Sequence, residues 1–395
     1  MVFKHSLSVV MPVSNQGKSL TQEPVYIITH EFYPVRGGIA TFTEEMAKAM
    51  HSLDRNVEVW AQSAPPSYEK AWPFRLKRLP LKGSHGLLCQ LRLAKELITH
   101  RRALRHATIY LPEPGPMLAM MLLQFVRGFT PNRLILTFHG SEILKFKSNP
   151  FRKILAKQLI KKASKISTLS FYTQNLLTDH FPEAKNKVLL TPGALKTDFK
   201  LTSTAKSDSA KLIILTVGRL HPRKGQLLTL EALQRLPQSL RSQIEYWIVS
   251  GQSKEGYDER VLACANKTPE LNVKIMHDLP DETLAKVYAD ADIFAMTSTA
   301  YESSIEGFGL VYLEAAAHGL PVIAHDIGGV SEAVKNEETG LVISPDNPEA
   351  LTQAFEKLIL DKSLRKKLGE AGKVFAHKTQ WKDSAEKLLT SHAIV

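Results

Sequence analysis

Cysteine is nearly missing from this 395-residue chain, which has only Cys89 and Cys264, far apart. Two such residues form neither a disulfide framework nor a zinc-ligand spacing, and they fit a reducing compartment. Long apolar runs are lacking too. No stretch approaches the roughly 18 uninterrupted apolar residues of a spanning helix, and the apolar group at Leu7–Val13 is broken by Ser8 and Pro12, so a loose leader is expected there rather than a signal-peptide core. Short-period repeats and low-complexity tracts are absent. Acid is scarce in the first half. Residues 1–200 carry 29 Lys+Arg against 13 Asp+Glu, whereas 201–395 carry 22 against 26, so the net charge of +12 originates in the first half.

The remaining composition, 44% hydrophobic and 23% charged, is that of a globular protein. The length exceeds most single cores and predicts two domains with a cleft between them. Val25–His30 reads as a buried parallel strand, followed by a helix whose apolar residues Ile39, Phe42, Met46, Ala49 and Leu53 form one face. Further strands are expected at Val57–Ala61, Thr108–Leu111 and Leu134–Phe138, with helices at Leu91–Leu104 and Met117–Val126. The polar stretch Lys196–Lys211 reads as a linker. A second winding follows, with strands at Leu212–Val217, Ile244–Val249, Val273–Met276, Ile293–Met296 and Val322–Ala324 and helices at Gln226–Leu236, Asp281–Ala289 and Leu310–His318. Strands alternating with helices predict α/β layers with parallel sheets. The expected division is a loose leader at 1–24, domains at 25–200 and 201–375, and a final helical segment at 376–395.

Four sequence features carry chemistry. In Glu306-Gly-Phe-Gly-Leu-Val-Tyr-Leu-Glu314 a Gly-x-Gly turn opens a helix, whose first amides lack intrahelical partners and suit an anion, while carboxylates suit hydroxyl-rich ligands. Gly218-Arg-Leu-His-Pro-Arg-Lys-Gly225 links a strand to a helix; there Arg219 offers a planar fork and Lys224 a mobile point charge for a diphosphate. Pro34-Val-Arg-Gly37-Gly38 follows the first strand and makes a phosphate-friendly turn without a G-x-G-x-x-G fingerprint or a Walker lysine. His139-Gly140-Ser141-Glu142 stands at another strand end. Each has a plainer reading as a solvated turn or a structural histidine; their joint occurrence argues against it.

Together these residues resemble the retaining glycosyltransferases of family 4, with the GT-B fold. Gly319-Leu-Pro-Val-Ile-Ala, Gly328-Gly-Val-Ser-Glu332, Thr339-Gly-Leu-Val342 and Trp381 extend the match from about Val25 to the C-terminus. The resemblance implies two Rossmann-like domains across a deep cleft and a C-terminal helix, within Lys378–Leu389, crossing back to the first domain. It implies that Arg219 and Lys224, with Gly37 and Gly38 beside them, hold the donor diphosphate. The backbone of Gly307, Phe308, Gly309, Leu310 and Val311 would cradle sugar and phosphate, and Glu314 would take the ribose. His139 and Glu306 are the implied catalytic contacts to the sugar, while Asp278 and Leu279 are the implied base contacts. Ser250-Gly-Gln-Ser253 and His277-Asp-Leu279 depart from the family pattern and leave UDP and GDP both open.

The expected activity is metal-independent, cofactor-free transfer of a hexose-type sugar from a UDP- or GDP-sugar to a hydroxyl of a lipid or glycan, by same-face attack. A non-catalytic sugar-nucleotide-binding protein is the alternative. Nucleic acid is not an expected partner, because no zinc, helix-turn-helix or aromatic-basic signature accompanies the basic half. Lys145–Lys165 carries eight Lys/Arg and no acid among apolar residues. It reads either as a docking face for an anionic membrane or as a helix whose stripe packs on the sheet. The expected location is cytoplasmic, with the inner face of a membrane as a docking place; base, sugar, acceptor and oligomeric state stay open.

Overall fold

The computed structural model describes residues 23–81, 86–126, 129, 131–201, 211–251, 253 and 256–390. The expected leader, apart from residues 23 and 24, and positions 202–210 of the polar stretch lie outside them.

Two parallel sheets form. The first contains β1 (Val25–Ile28), β2 (Val57–Gln62), β3 (Arg75–Leu79), β4 (Thr108–Leu111), β5 (Arg133–Phe138), β6 (Lys165–Thr168) and β7 (Val188–Leu190), in the order β3-β2-β1-β4-β5-β6-β7. The second contains β8 (Leu212–Val217), β9 (Ile244–Ser250), β10 (Asn272–His277), β11 (Ile293–Met296), β12 (Val322–His325) and β13 (Gly340–Ile343), in the order β10-β9-β8-β11-β12-β13. In each sheet the chain moves outward from the first strand on one side and then on the other, so the order reverses between β1 and β4 and between β8 and β11. Loops leaving the carboxyl ends of such strand pairs diverge and open a crevice. Glu31, Glu113, the 218–225 loop and the 297–309 segment therefore all sit at strand ends of the same kind.

Four strands escape the periodicity reading, each for a physical reason. β3 (Arg-Leu-Lys-Arg-Leu), β7 and β13 are edges, where charge and short length discourage further pairing, and β6 is only Lys-Ile-Ser-Thr. The helix expected over Leu91–Leu104 is two, Leu87–Thr99 and Arg101–Arg105, separated at His100. The one expected over Met117–Val126 is Pro114–Leu123: proline at its start has no amide to lose, and Glu113 caps it by accepting from the Gly115 amide at 2.5 Å.

The closing helix, Trp381–Leu389, returns to the first sheet. The Trp381 ring meets Phe42 at 5.5 Å and its indole donates to the Leu195 carbonyl at 2.7 Å. Helix C-terminal carbonyls have no intrahelical donors; here Arg133 donates to Leu389 and Leu388 at 3.1 and 3.2 Å, adding a favourable charge at the negative end. Small residues serve close helix packing elsewhere. A Cβ on Gly369 would lie 2.0 Å from the Gly319 carbonyl oxygen, so Lys362–Ala376 packs against the helix ending at Ala317 with almost no side-chain spacer.

The two halves also touch through a helix cap. Glu332, from the second half, accepts from the Phe171 and Tyr172 amides at 2.8 and 2.9 Å, and these open the Phe171–His180 helix of the first. Glu332→Ala is expected to lower unfolding free energy by about 1 kcal/mol, the usual worth of an exposed cap. Urea denaturation measures it, and unchanged stability would contradict this role.

Candidate active site

The centre of the site is a carboxylate shared by two cations. Glu306 is 8% exposed, and its Oε2 receives Arg223 at 2.7 Å and Lys224 at 2.8 Å, with the Ser298 hydroxyl at 3.4 Å. The two cations come from the short 3₁₀ turn Pro222–Lys224 after β8, closed by Gly225 at φ +73°. Glycine is required at that corner, since a Cβ would stand 1.9 Å from the Thr297 carbonyl oxygen. Burial opposes the charge on Glu306, but Lys224 and then Arg223 outweigh it and hold its pKa down to about 2. Burial pulls the Lys224 ammonium below its ordinary value against the attraction of Glu306, with Arg223 and Arg219 adding repulsion. Three positive groups stand against one buried negative group, so the loop has spare positive charge for an anion.

Arg219 lies on the same loop and is exposed. Among the described residues its guanidinium has neither a hydrogen bond nor an ion pair, so it is available to a ligand without the breaking of a contact. Arg223 was absent from the expected site. Its signal was its place beside Lys224, but an arginine on a turn does not disclose that it folds inward.

The Gly307–Gly309 turn follows Glu306 directly. Gly309 has φ +87° and precedes Leu310–Ala317, whose start has no side-chain cap. The amides of Leu310 and Val311, at the head of that helix, are therefore left for another acceptor. The opposite side of the turn is packed against the first half. The Gly307 carbonyl accepts from Ser170 at 2.6 Å, the Ile305 amide donates to Ser141 at 3.0 Å, and a Cβ on Gly307 would come within 1.9 Å of the His139 carbonyl oxygen. The His139-Gly140 loop and the Glu306–Gly309 turn, read separately in the sequence, are thus in direct contact. From behind, Gly329 donates to the Glu306 carbonyl at 3.0 Å.

His139 is half-buried, with its ring edge-on to Phe42 at 5.2 Å and Nε2 2.8 Å from the Pro112 carbonyl. A carbonyl only accepts, so that bond puts the proton on Nε2 and leaves Nδ1 with its lone pair in the neutral ring. Glu142 accepts from the His139 amide and fixes the loop.

Glu314 is half-buried and accepts from Tyr288 at 3.2 Å. Burial raises its pKa, with Lys196 pulling the other way. Tyr288 in turn stacks on His318 at 5.0 Å and 8°. Gly37 and Gly38 are exposed at the head of the Gly38–Ser52 helix, with open space where a side chain would be. Arg36 beside them reaches across to the Leu279 carbonyl at 2.6 Å, so this loop stands over Asp278 and Leu279, and among the described residues no hydrogen bond or ion pair joins it to Lys224. Asp278 has φ +49°, and its amide donates to Ser250.

Because the folded Glu306 pKa is depressed, its stabilising contribution is complete above the ordinary value of 4.5 and is lost as pH falls toward about 2. Glu306→Gln is expected to flatten that acid limb and to cost roughly 3–5 kcal/mol near neutrality by leaving two cations uncompensated. A wild-type acid limb in a stability–pH profile would contradict the pairing.

Comparison with known proteins gives two matching family models, Glycosyltransferase Family 4 over residues 36–199 and Glycosyl transferases group 1 over residues 200–375. A GDP-mannose-dependent alpha-(1-6)-phosphatidylinositol monomannoside mannosyltransferase of Mycobacterium tuberculosis is 24% identical, covering 91% of this chain and 94% of its own. A D-inositol 3-phosphate glycosyltransferase of Corynebacterium jeikeium is 37% identical over 180 residues, 45% of this chain and 42% of its own. Among solved structures, sucrose-phosphate synthase from Thermosynechococcus elongatus superposes with a TM-score of 0.77 at 20% identity, over 93% of this chain and 97% of that one. Anabaena HepE in complex with UDP and glucose gives 0.74 at 19%, over 93% and 98%.

Proposed function

The chain belongs to the glycosyltransferases, with a Family 4 first half, a group 1 second half and the GT-B fold, and from that premise we propose a donor, an acceptor class and a role for each site residue. The donor is a nucleoside diphosphate hexose, and GDP-mannose is the first to test because the full-length relative is named for it; a UDP-sugar is the second, since HepE was solved with UDP and glucose. The single observation that supports this reading is the spare positive charge of the Arg219–Lys224 loop beside the uncapped helix start at Leu310.

In this reading the diphosphate lies on Arg219, Lys224 and the amides of Leu310 and Val311. Lys224 and Arg219 take up the charge that develops on the departing phosphate, work that a divalent ion does in other enzymes. The Gly307-Phe308-Gly309 backbone lines the sugar, and Glu306 keeps Lys224 aimed while its second oxygen meets a sugar hydroxyl. His139 offers Nδ1 to the sugar from the first half, Glu314 takes the ribose, Gly37 and Gly38 give the phosphates room, and the Asp278–Leu279 loop receives the base. Transfer proceeds with retention: the acceptor oxygen bonds to the anomeric carbon on the face from which phosphate departs, and the hydroxyl proton passes to the departing phosphate oxygen. Residues 25–200 form the acceptor side and 201–375 the donor side.

The acceptor is a hydroxyl of a lipid or glycan, reached at the cytoplasmic face of a membrane. Among the described residues no helix is long and apolar enough to cross one. Ala156, Leu159 and Ile160 of Pro150–Lys162 pack inward, as the packing reading expects, while Phe151 and Ile154 stay 65% and 60% exposed among the lysines, which supports the membrane reading. Phe125, 60% exposed on the adjoining segment, lies under Lys162 at 5.4 Å. Apolar side chains interleaved with cations suit an anionic bilayer surface.

Lys224→Ala is expected to lower transfer at least tenfold with the fold intact, and wild-type activity in that variant would refute the donor site. Thermal shift with GDP-mannose and UDP-glucose reads donor binding directly, since an occupied site stabilises by mass action. On anionic vesicles, sedimentation should fall as salt rises and drop further in Phe151→Ser/Ile154→Ser; vesicle-independent behaviour would remove the membrane from the reading.

A further inference from the structure

Arg36 reaches from the first half to the Leu279 loop with most of its guanidinium uncommitted. It stands in the exposed turn before the Gly38–Ser52 helix, where Gly37 and Gly38 have open space around them. Nη1 donates to the Leu279 carbonyl at 2.6 Å, which among the described residues is the side chain's single hydrogen bond. Its other partner, Asp281, lies 3.7 Å from Nη2, with both side chains more than half exposed. An ion pair so long and so well solvated is screened and weak. The contact with Leu279 therefore fixes where the guanidinium sits, while the N–H groups of Nη2 and Nε stay available to a ligand.

The anchor point is itself held. Leu279 follows β10 and is partly buried against the main core. Asp278 before it has φ +49°, and its amide donates to the Ser250 carbonyl at 3.0 Å. A planar fork attached to such a fixed backbone carbonyl presents its remaining donors in one plane and at one place. In the preceding reading, on which this inference rests, that place is where the base of the donor lies.

We propose that Arg36 selects the base: with Nη1 on Leu279, its Nη2 and Nε donate to O6 and N7 of guanine, so that a guanosine diphosphate sugar is the preferred donor. Guanine offers those two acceptors side by side on one edge. Adenine puts an amino donor beside N7, which meets the fork donor to donor, and uracil sets O4 alone between a ring C–H and an N–H. Discrimination between bases then comes from the first half, although the diphosphate is held by the second.

Calorimetric titration of wild-type protein and Arg36→Ala with GDP, 7-deaza-GDP and UDP tests this. The deaza analogue replaces the N7 acceptor with a C–H and leaves the diphosphate unchanged. Wild-type protein should bind GDP more tightly than either of the others. Arg36→Ala should lose roughly tenfold in GDP affinity, lose little for UDP, and bind GDP and 7-deaza-GDP alike. A wild-type preference for UDP, equal wild-type affinity for GDP and 7-deaza-GDP, or an equal loss for GDP and UDP in Arg36→Ala would overturn this inference alone. The last of these is what a contact that merely joins the two halves would give. Failure of both GDP and UDP to bind the wild type, or undiminished binding of both to Lys224→Ala, would instead overturn the donor reading, and this inference with it.

Discussion

The buried contact of Glu306 with Lys224 and Arg223 is the constraint on which the rest of the site depends. A lone carboxylate at 8% exposure would be protonated, and two adjacent cations without it would repel. Joined, they fix the loop after β8 to the turn after β11, and the two strands at the reversal point of the second sheet acquire one shared floor. Gly225 and Gly307 follow from the same requirement, since each lies too close to a neighbouring carbonyl for any side chain. The surplus charge left by one acid against three cations is the ground of the proposed phosphate site.

The first half completes the site through backbone contacts. Ser141 and Ser170 hydrogen-bond the segment around Glu306 and Gly307, Glu332 caps a helix of the first half, and Trp381 returns the chain to Phe42. Such contacts hold the His139 loop against the Gly307–Gly309 turn, while among the described residues the Arg219 guanidinium makes neither a hydrogen bond nor an ion pair. The halves differ in charge, the first being basic over residues 1–200, and in the proposed reading they differ in task as well, the second holding the donor anion.

Much of this was legible in the sequence because glycines and strand ends report their own reasons. Gly307-Phe308-Gly309 and Gly218–Gly225 announce turns at strand ends, and the apolar runs at Leu212–Val217 and Ile293–Met296 are strands in the structure. What could not be read depends on distant partners. Arg223 looks like a solvated turn residue until Glu306 is placed beside it, and Arg36 is one basic residue among many until the Leu279 carbonyl is placed beside it. Strand β3 failed for a different reason, since an edge strand rich in arginine and lysine has no buried face pattern to display. His100 likewise breaks a helix that periodicity alone would continue.

The most direct measurement is a crystal structure of the protein with a nucleoside diphosphate sugar bound. The account requires the diphosphate to lie within hydrogen-bond distance of Arg219, Lys224 and the amides of Leu310 and Val311, with Glu306 still paired to Arg223. A diphosphate bound elsewhere in the cleft, with Lys224 and the head of the Leu310 helix unengaged, would contradict it.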